Sequence, residues 1–190
     1  LEQIQATRAS TEGRLTSSDT FAQSSYVRWM THQRTDCCQL TSTRTYHTIP
    51  TSGEGSSGTN YDQTDFDHDT VGRQNRVETP GGTITSTVFD DRNLPTKVYI
   101  GTDDTGATDS DPTGGGATGN NMVIVAENEY DGDTNGGDGY LTQQTQHIDS
   151  STTRVTSRTY DYRGRRLTTD GEEDFFEKSY YDNLRTPDLV

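Results

Sequence analysis

Aromatic residues recur in this chain at a spacing too regular for an ordinary globular core. Tyr26, Tyr46 and Phe66 lie twenty residues apart, Phe89 follows after twenty-three, and Tyr160 and Tyr181 are separated by twenty-one. Two longer gaps, forty-one residues from Phe89 to Tyr130 and thirty from Tyr130 to Tyr160, each contain a Gly/Asp-rich run, at 101–121 and 131–139. Setting those runs aside as loop insertions restores a period near twenty-one. A fixed period of this length marks repeats in which each unit is one supersecondary element that buries its apolar face only against its neighbours.

The content of each unit is a hairpin. An aromatic anchor is followed by Asp at Phe66-Asp67, Phe89-Asp90, Tyr130-Asp131, Tyr160-Asp161 and Tyr181-Asp182, and Asp favours turns because its side chain bonds the backbone two residues on. Gly72-Arg73 and Gly164-Arg165 follow, the glycine supplying the positive φ that a tight hairpin requires. Alternating strands then run over Arg76–Thr79, Lys97–Ile100 and Arg165–Thr169. A second turn comes at Pro80-Gly81-Gly82 or Asp170-Gly171. Thr83–Phe89 and Phe175–Tyr181 lead back to the next anchor with a period of two. The expected fold is all-β: tandem antiparallel β-hairpin repeats of about 21 residues forming a spiralling sheet, either a shell wall or a solenoid or filament. Helical periodicity is confined to the first fifteen residues. Residues 1–60 read as degenerate N-terminal repeats and 61–190 as clearer ones, in one continuous array.

Composition weighs disorder against this fold. Leu, Ile, Val and Phe are scarce and the net charge is −14, a combination typical of disordered chains. Ten Tyr residues and 34 Thr oppose that reading, because both types suit a pleated, half-buried surface. The negative charge argues against nucleic acid, whose phosphates need a basic face, and against anionic membranes. The longest apolar stretch, Met122–Ala126, is far too short to span a bilayer, so no membrane insertion is expected. With no initiator Met or targeting segment, the chain reads as an internal piece of a longer protein. Cys37 and Cys38 read as free thiols on successive strand residues facing opposite ways, and a disulfide between them would be strained.

The anchors resemble the RHS or YD repeat. Tyr160-Asp161-Tyr162-Arg163-Gly164-Arg165-Arg166-Leu167-Thr168 is similar to the Tyr-Asp-x-x-Gly-Arg-x-Leu-Thr core. Looser copies are Phe66-Asp67 with Gly72-Arg73, Tyr130-Asp131 with Gly139-Tyr140-Leu141-Thr142, and Tyr181-Asp182-Asn183-Leu184. Gly13-Arg14-Leu15-Thr16 resembles half of another. The resemblance implies a continuous β ribbon that spirals into a hollow shell, as in bacterial toxin complexes, polymorphic toxins and teneurin-type adhesion proteins. It also implies a secreted or cell-surface location. The inserted loops and the weak N-terminal units depart from the family pattern and leave a shell wall, a filament and an open surface array all open.

Few residues point to chemistry. Asp131-Gly132-Asp133-Thr134-Asn135-Gly136 has the oxygen ligands Asp131, Asp133 and Asn135 at alternate positions before a glycine, as a calcium loop does, but Thr142 stands where a bidentate Glu belongs. A solvated acidic loop and no cofactor is the expectation. Asp111-Pro112-Thr113-Gly114 resembles the self-cleavage element of RHS shells, yet further repeats follow it, and a turn explains it as well. His32, His47, His68 and His147 fall in different repeats, with no nucleophile in a catalytic context, so an enzyme is not expected. Arg73, Arg165 and Arg166 are expected to pair with the Asp of a neighbouring anchor and to lie over aromatic rings. Tyr26, Tyr46, Tyr130, Tyr160 and Tyr181 read as a packing ladder. The expected role is architectural, with neighbouring repeats of the same or identical chains as partners, in a homo-oligomer or filament. The alternatives are an adhesive module, its inserted loops meeting a surface glycan or protein, and a toxin-enclosing carrier.

Overall fold

A computed structural model of the chain describes residues 1–8, 14, 16–132, 137–172 and 175–181. It is all-β. Twelve strands form one sheet whose order follows the chain: β1 (Glu2–Ala6), β2 (Tyr26–Arg34), β3 (Leu40–Tyr46), β4 (Tyr61–His68), β5 (Gln74–Glu78), β6 (Ile84–Phe89), β7 (Pro95–Gly101), β8 (Val123–Tyr130), β9 (Leu141–His147), β10 (Thr153–Tyr160), β11 (Arg166–Asp170) and β12 (Phe176–Lys178). Strand succession in chain order is what repeated hairpins produce, because each strand pairs with the one to which a short turn connects it. A 3-10 turn at Gln23–Ser25 precedes β2. The helix allowed for in the first fifteen residues is not formed where the chain is described: β1 occupies Glu2–Ala6 and pairs antiparallel with β2, Ile4 opposite Trp29. The strand expected over Phe175–Tyr181, leading back to the next anchor, shortens to β12.

The chain divides into two compact units, residues 1–86 with 100–122 and residues 87–99 with 123–190. In the first, register places Ser42 opposite Asp65, Arg44 opposite Gln63 and Tyr46 opposite Tyr61, and Thr31 opposite Arg44. Side chains alternate across a strand, so Trp29, Thr31, Ser42, Arg44, Tyr46, Tyr61 and Gln63 share one face. That face is the covered one. Trp29, Tyr46 and Tyr61 are each at most 7 % exposed, with Tyr26 and Ile49 packed against them. The Trp29 and Tyr46 rings stack 4.0 Å apart and Tyr61 tilts against Tyr46 at 5.1 Å. The β3–β4 connection supplies part of the cover: Gln23 Nε2 donates to Gly53 O, and Arg44 pairs with Glu54 while stacking over the Tyr61 ring.

The insertion beginning at Gly101 is a folded element. Gly101 ends β7, and the loop that follows returns to the β4–β5 hairpin of its own unit. The Asp109 carboxylate accepts from Thr70 N at 3.1 Å and from Asn75 Nδ2 at 2.9 Å, and Asp104 pairs with Arg76. Asn121 Oδ1 accepts from the amides of Thr102 and Asp103 and closes the loop's base.

In the second unit, β8–β9, β9–β10, β10–β11 and β11–β12 are antiparallel ladders. Asn128, Gln144 and Arg158 form a polar row across three strands, through Gln144 Nε2 to Asn128 Oδ1 and Arg158 Nη2 to Gln144 Oε1. Tyr140 stacks on Tyr160 at 4.9 Å.

Candidate functional site

What repeats along the chain is a five-residue turn. The first residue's amide bonds the fifth residue's carbonyl at Thr35–Gln39, Asp69–Arg73, Thr79–Thr83, Asp90–Leu94 and Asp161–Arg165, at 2.8–2.9 Å. In each, the fourth residue's amide returns to the first residue's carbonyl. That fourth residue is left-handed every time: Cys38 (φ 69), Gly72 (φ 91), Gly82 (φ 77), Asn93 (φ 67) and Gly164 (φ 72). A type I turn closed by a left-handed residue is the three-residue hairpin loop with a bulge. The bulge is visible in the register, which shifts just before the turn so that Arg34 faces Leu40, His68 faces Gln74 and Tyr160 faces Arg166.

The first side chain locks the turn. Asp69 Oδ1 accepts from Val71 N and Arg73 N, and its second oxygen pairs with Arg73 Nε. Asp161 repeats the arrangement with Arg163 N, Arg165 N and Arg165 Nε. Asp90 bonds Arg92 N, Leu94 N and Arg92 Nε. Asp131 spans the longer insertion in the same way: its amide meets Tyr140 O, and its carboxylate accepts from the amides of Gly139 and Tyr140 and pairs with Arg92. Burial pushes the Asp69, Asp90 and Asp161 carboxyls up, but the amides and the arginine of each turn outweigh it and hold all three below the usual carboxylate value. At Asp131 the Arg92 guanidinium is the main cause of a similar depression. Thr35 and Thr79 do the same work uncharged, their Oγ1 atoms accepting from Gln39 N and Thr83 N.

The aspartate of the β4–β5 turn is therefore Asp69. Phe66 and Asp67, read as the anchor pair of that repeat, lie inside β4. The aromatic signal drew the reading two residues too early, whereas Asp69-x-x-Gly72-Arg73 has the same spacing as Asp161-x-x-Gly164-Arg165, and Asp69 to Asp90 is twenty-one residues. Arg73 and Arg165 pair with the Asp of their own turn, at i−4. Arg166 pairs with Glu177 on β12. Arg165 does lie over an aromatic ring, that of Tyr181 at 4.4 Å.

The anchors divide by unit. Tyr26 begins β2, and Tyr46 ends β3 within the aromatic stack. Phe89, Tyr130 and Tyr160 end β6, β8 and β10 directly before their turn aspartates Asp90, Asp131 and Asp161. In the second unit the tyrosine hydroxyls perform a task that spacing did not reveal. Tyr130 Oη donates to Pro95 O at 3.1 Å, Tyr160 Oη to Leu141 O at 2.9 Å and Tyr181 Oη to Arg166 O at 2.9 Å. Pro95, Leu141 and Arg166 are each the first strand residue after the turn begun by Asp90, Asp131 or Asp161. Every one of these tyrosines thus clasps the carbonyl that leaves the preceding repeat's turn, a contact made only when both repeats are folded.

A polar cleft of about 380 Å³ adjoins the first clasp, lined by Asp90, Arg92, Thr96, Lys97, Glu127, Asn128, Glu129, Tyr130, Gln143 and Thr145. Glu127, one of its lining residues, meets His147 Nε2 at 2.8 Å. Among the described residues no three His, Cys, Asp or Glu side chains are grouped as a metal ion requires. The calcium candidates Asp133 and Asn135 lie outside the described residues, as does Asp182, and Asp131 serves its turn. Gly13 and Leu15 of the half-repeat also lie outside them. The Asp111 carboxylate accepts from Thr113 N, Thr113 Oγ1 and Gly115 N, and these bonds, led by the Thr113 hydroxyl, lower its pKa. His32 and His47 bond the adjacent hydroxyls of Thr43 and Thr48. Among the described residues no helix is long and apolar enough to cross a membrane.

No family model and no curated protein matches the sequence. Solved structures are similar in fold. A chain of the TcdB2-TccC3-Cdc42 crystal structure superposes with a TM-score of 0.51 over 90 % of this chain, at 12 % identity. This chain spans 9 % of that one. A chain of the TcdB2-TccC3-TEV crystal structure gives 0.37 over 77 %, also at 12 % identity, and is spanned to 8 %.

Proposed function

We propose that this chain is a wall segment of a larger RHS/YD-repeat protein, secreted or displayed at a cell surface, and that its role is architectural. The observation that carries the reading is the clasp from each anchor tyrosine to the turn before it, repeated three times in one unit. Contacts of this kind reward only stacking with the next repeat, which is the energetics of a continuous wall. The fold likeness to a chain about ten times longer supports the same reading. Neither catalysis nor a cofactor enters it, and the partners are neighbouring repeats, on this chain or on copies.

The wall serves equally as a carrier enclosing a passenger or as a scaffold for adhesive loops. The carrier reading draws support from the fold likeness. Adhesion through residues 102–121 would have to use groups other than Asp104 and Asp109, which are engaged with the β4–β5 hairpin. The test is negative-stain electron microscopy of the full-length protein that contains this segment. Closed capsules or long particles are expected. Compact monomers with no continuous wall would overturn the proposal.

A further inference from the structure

Cys37 and Cys38 do not lie on a strand with thiols on opposite faces. They occupy the third and fourth positions of the Thr35–Gln39 turn at the tip of the β2–β3 hairpin, and both are exposed. Four sister turns place glycine or asparagine at the left-handed fourth position, whereas this one places Cys38 there at φ 69. Neither residue is buried, so packing gives no reason for the choice. The turn is otherwise fully bonded: Thr35 N meets Gln39 O, Cys38 N meets Thr35 O, and Arg34 Nη1 donates to Cys38 O at 2.8 Å.

The two thiols are badly placed to pair with each other. Successive α-carbons across a trans peptide are about 3.8 Å apart, and no described peptide bond is cis. Disulfides normally span about 4.4–6.8 Å between α-carbons. Closing an internal bridge would twist the backbone of a turn held by the bonds above. No other cysteine occurs in these residues, so neither thiol has a further partner within them. A second copy of this chain presents two equally exposed, adjacent thiols, and two hairpin tips meeting head-on match donor for donor.

We propose that the β2–β3 tip is a covalent junction between copies of this chain, in which Cys37 and Cys38 form disulfides with the same pair of a second molecule. The oxidant is a low-molecular-weight disulfide. A cysteine thiolate attacks it, forming a mixed disulfide and releasing one small thiol. A thiolate of the second copy then attacks the protein sulfur, forming the interchain bond and releasing the second small thiol. Two protein thiols are oxidised as one small disulfide is reduced. In the cell the junction rests on the proposed extracellular placement, where such oxidants persist, but its chemistry is readable in a buffer of fixed redox poise without that placement.

The experiment incubates this chain, reduced and then freed of reductant, with glutathione disulfide and follows it by non-reducing electrophoresis and intact mass. The expected product is a covalent dimer that dithiothreitol reverses, with cross-linked tryptic peptides carrying Cys37 and Cys38 from both copies. C38G keeps a singly linked dimer through Cys37, and the C37S/C38S double variant stays monomeric. A monomer lighter by two hydrogens, the mark of an internal bridge, would overturn the junction. So would a monomer with both thiols stably capped by glutathione. Capsules without dimers would sink the junction and leave the wall, and dimers without capsules the reverse.

Discussion

The two units use the same turn and hold their hairpins together by different means. Residues 1–86 with 100–122 bury aromatic rings under connecting loops: Trp29 stacks on Tyr46, and both Trp29 Nε1 and Tyr46 Oη are buried without a hydrogen bond of good geometry. Among the described residues, 87–99 with 123–190 hold fewer buried side chains and place tyrosine hydroxyls on backbone carbonyls. In the first unit a tyrosine is a hydrophobic plate, and its hydroxyl is a burden. In the second the hydroxyl is the working end. One residue type in a repeated position therefore contributes through area in one place and through direction in another, and substitutions should separate the two.

The largest expected effect is on the aromatic stack. Tyr46→Ala removes a plate from a buried cluster and should cost about 3–5 kcal/mol. Trp29 is the only tryptophan, so its fluorescence in a urea titration reports on this unit. Equal loss of amide protection in β10 would break the contrast between the units. Next comes the turn lock. Asp69→Ala strips the partner from Arg73 and two amides and should cost about 2–3 kcal/mol, against about 1 kcal/mol for Thr79→Ala, whose hydroxyl makes only neutral bonds, to the amide and carbonyl of Thr83. A chemical-denaturation series over both variants checks the ratio.

The same carboxylates set an acid limit. Folded values for Asp69, Asp90 and Asp161 lie below those of the unfolded chain. Their stabilisation is fully present above the ordinary carboxylate value of about 4 and is lost as pH falls through the depressed folded values. Thermal melting temperature should thus be flat from neutrality down to that value and fall below it, and D69N should make the fall shallower in the first unit. The smallest effect sharpens the comparison most. Tyr160→Phe deletes one clasp while keeping the stack on Tyr140 and should cost about 1 kcal/mol. Tyr46→Phe, which removes a buried hydroxyl with no well-formed bond, should be neutral or slightly stabilising. Equal losses in the two variants would show that the hydroxyl at residue 46 works as the one at 160 does.

Much of the local structure was legible in the residues. Pro80-Gly81-Gly82 and Asp161-x-x-Gly164 announce turns because few residues accept a left-handed backbone and few side chains close a turn on themselves. Alternation in Thr83–Phe89 announces β6. The misreadings came where a local signal was overruled by a stronger one nearby. Phe66 outweighed Asp69, although the spacing to Gly72 and Arg73 favoured the latter. Cys37 and Cys38 gave no turn signal at all, since cysteine is rare at a left-handed position. The Gly/Asp composition of 101–121 read as a loop insertion, and nothing local disclosed that Asp104 and Asp109 meet Arg76, Thr70 and Asn75 some thirty to forty residues earlier.

By itself the sequence determined the period, the hairpin as its unit and the all-β class, because turn closure and side-chain alternation act over a handful of residues. Only the tertiary structure decided which groups join one hairpin to the next. A tyrosine hydroxyl finds a carbonyl fifteen, nineteen or thirty-five residues away once register and bulge are set, and register depends on the whole ladder and not on any one strand. The repeat was written in the chain, and the clasps that turn repeats into a wall are a property of the sheet.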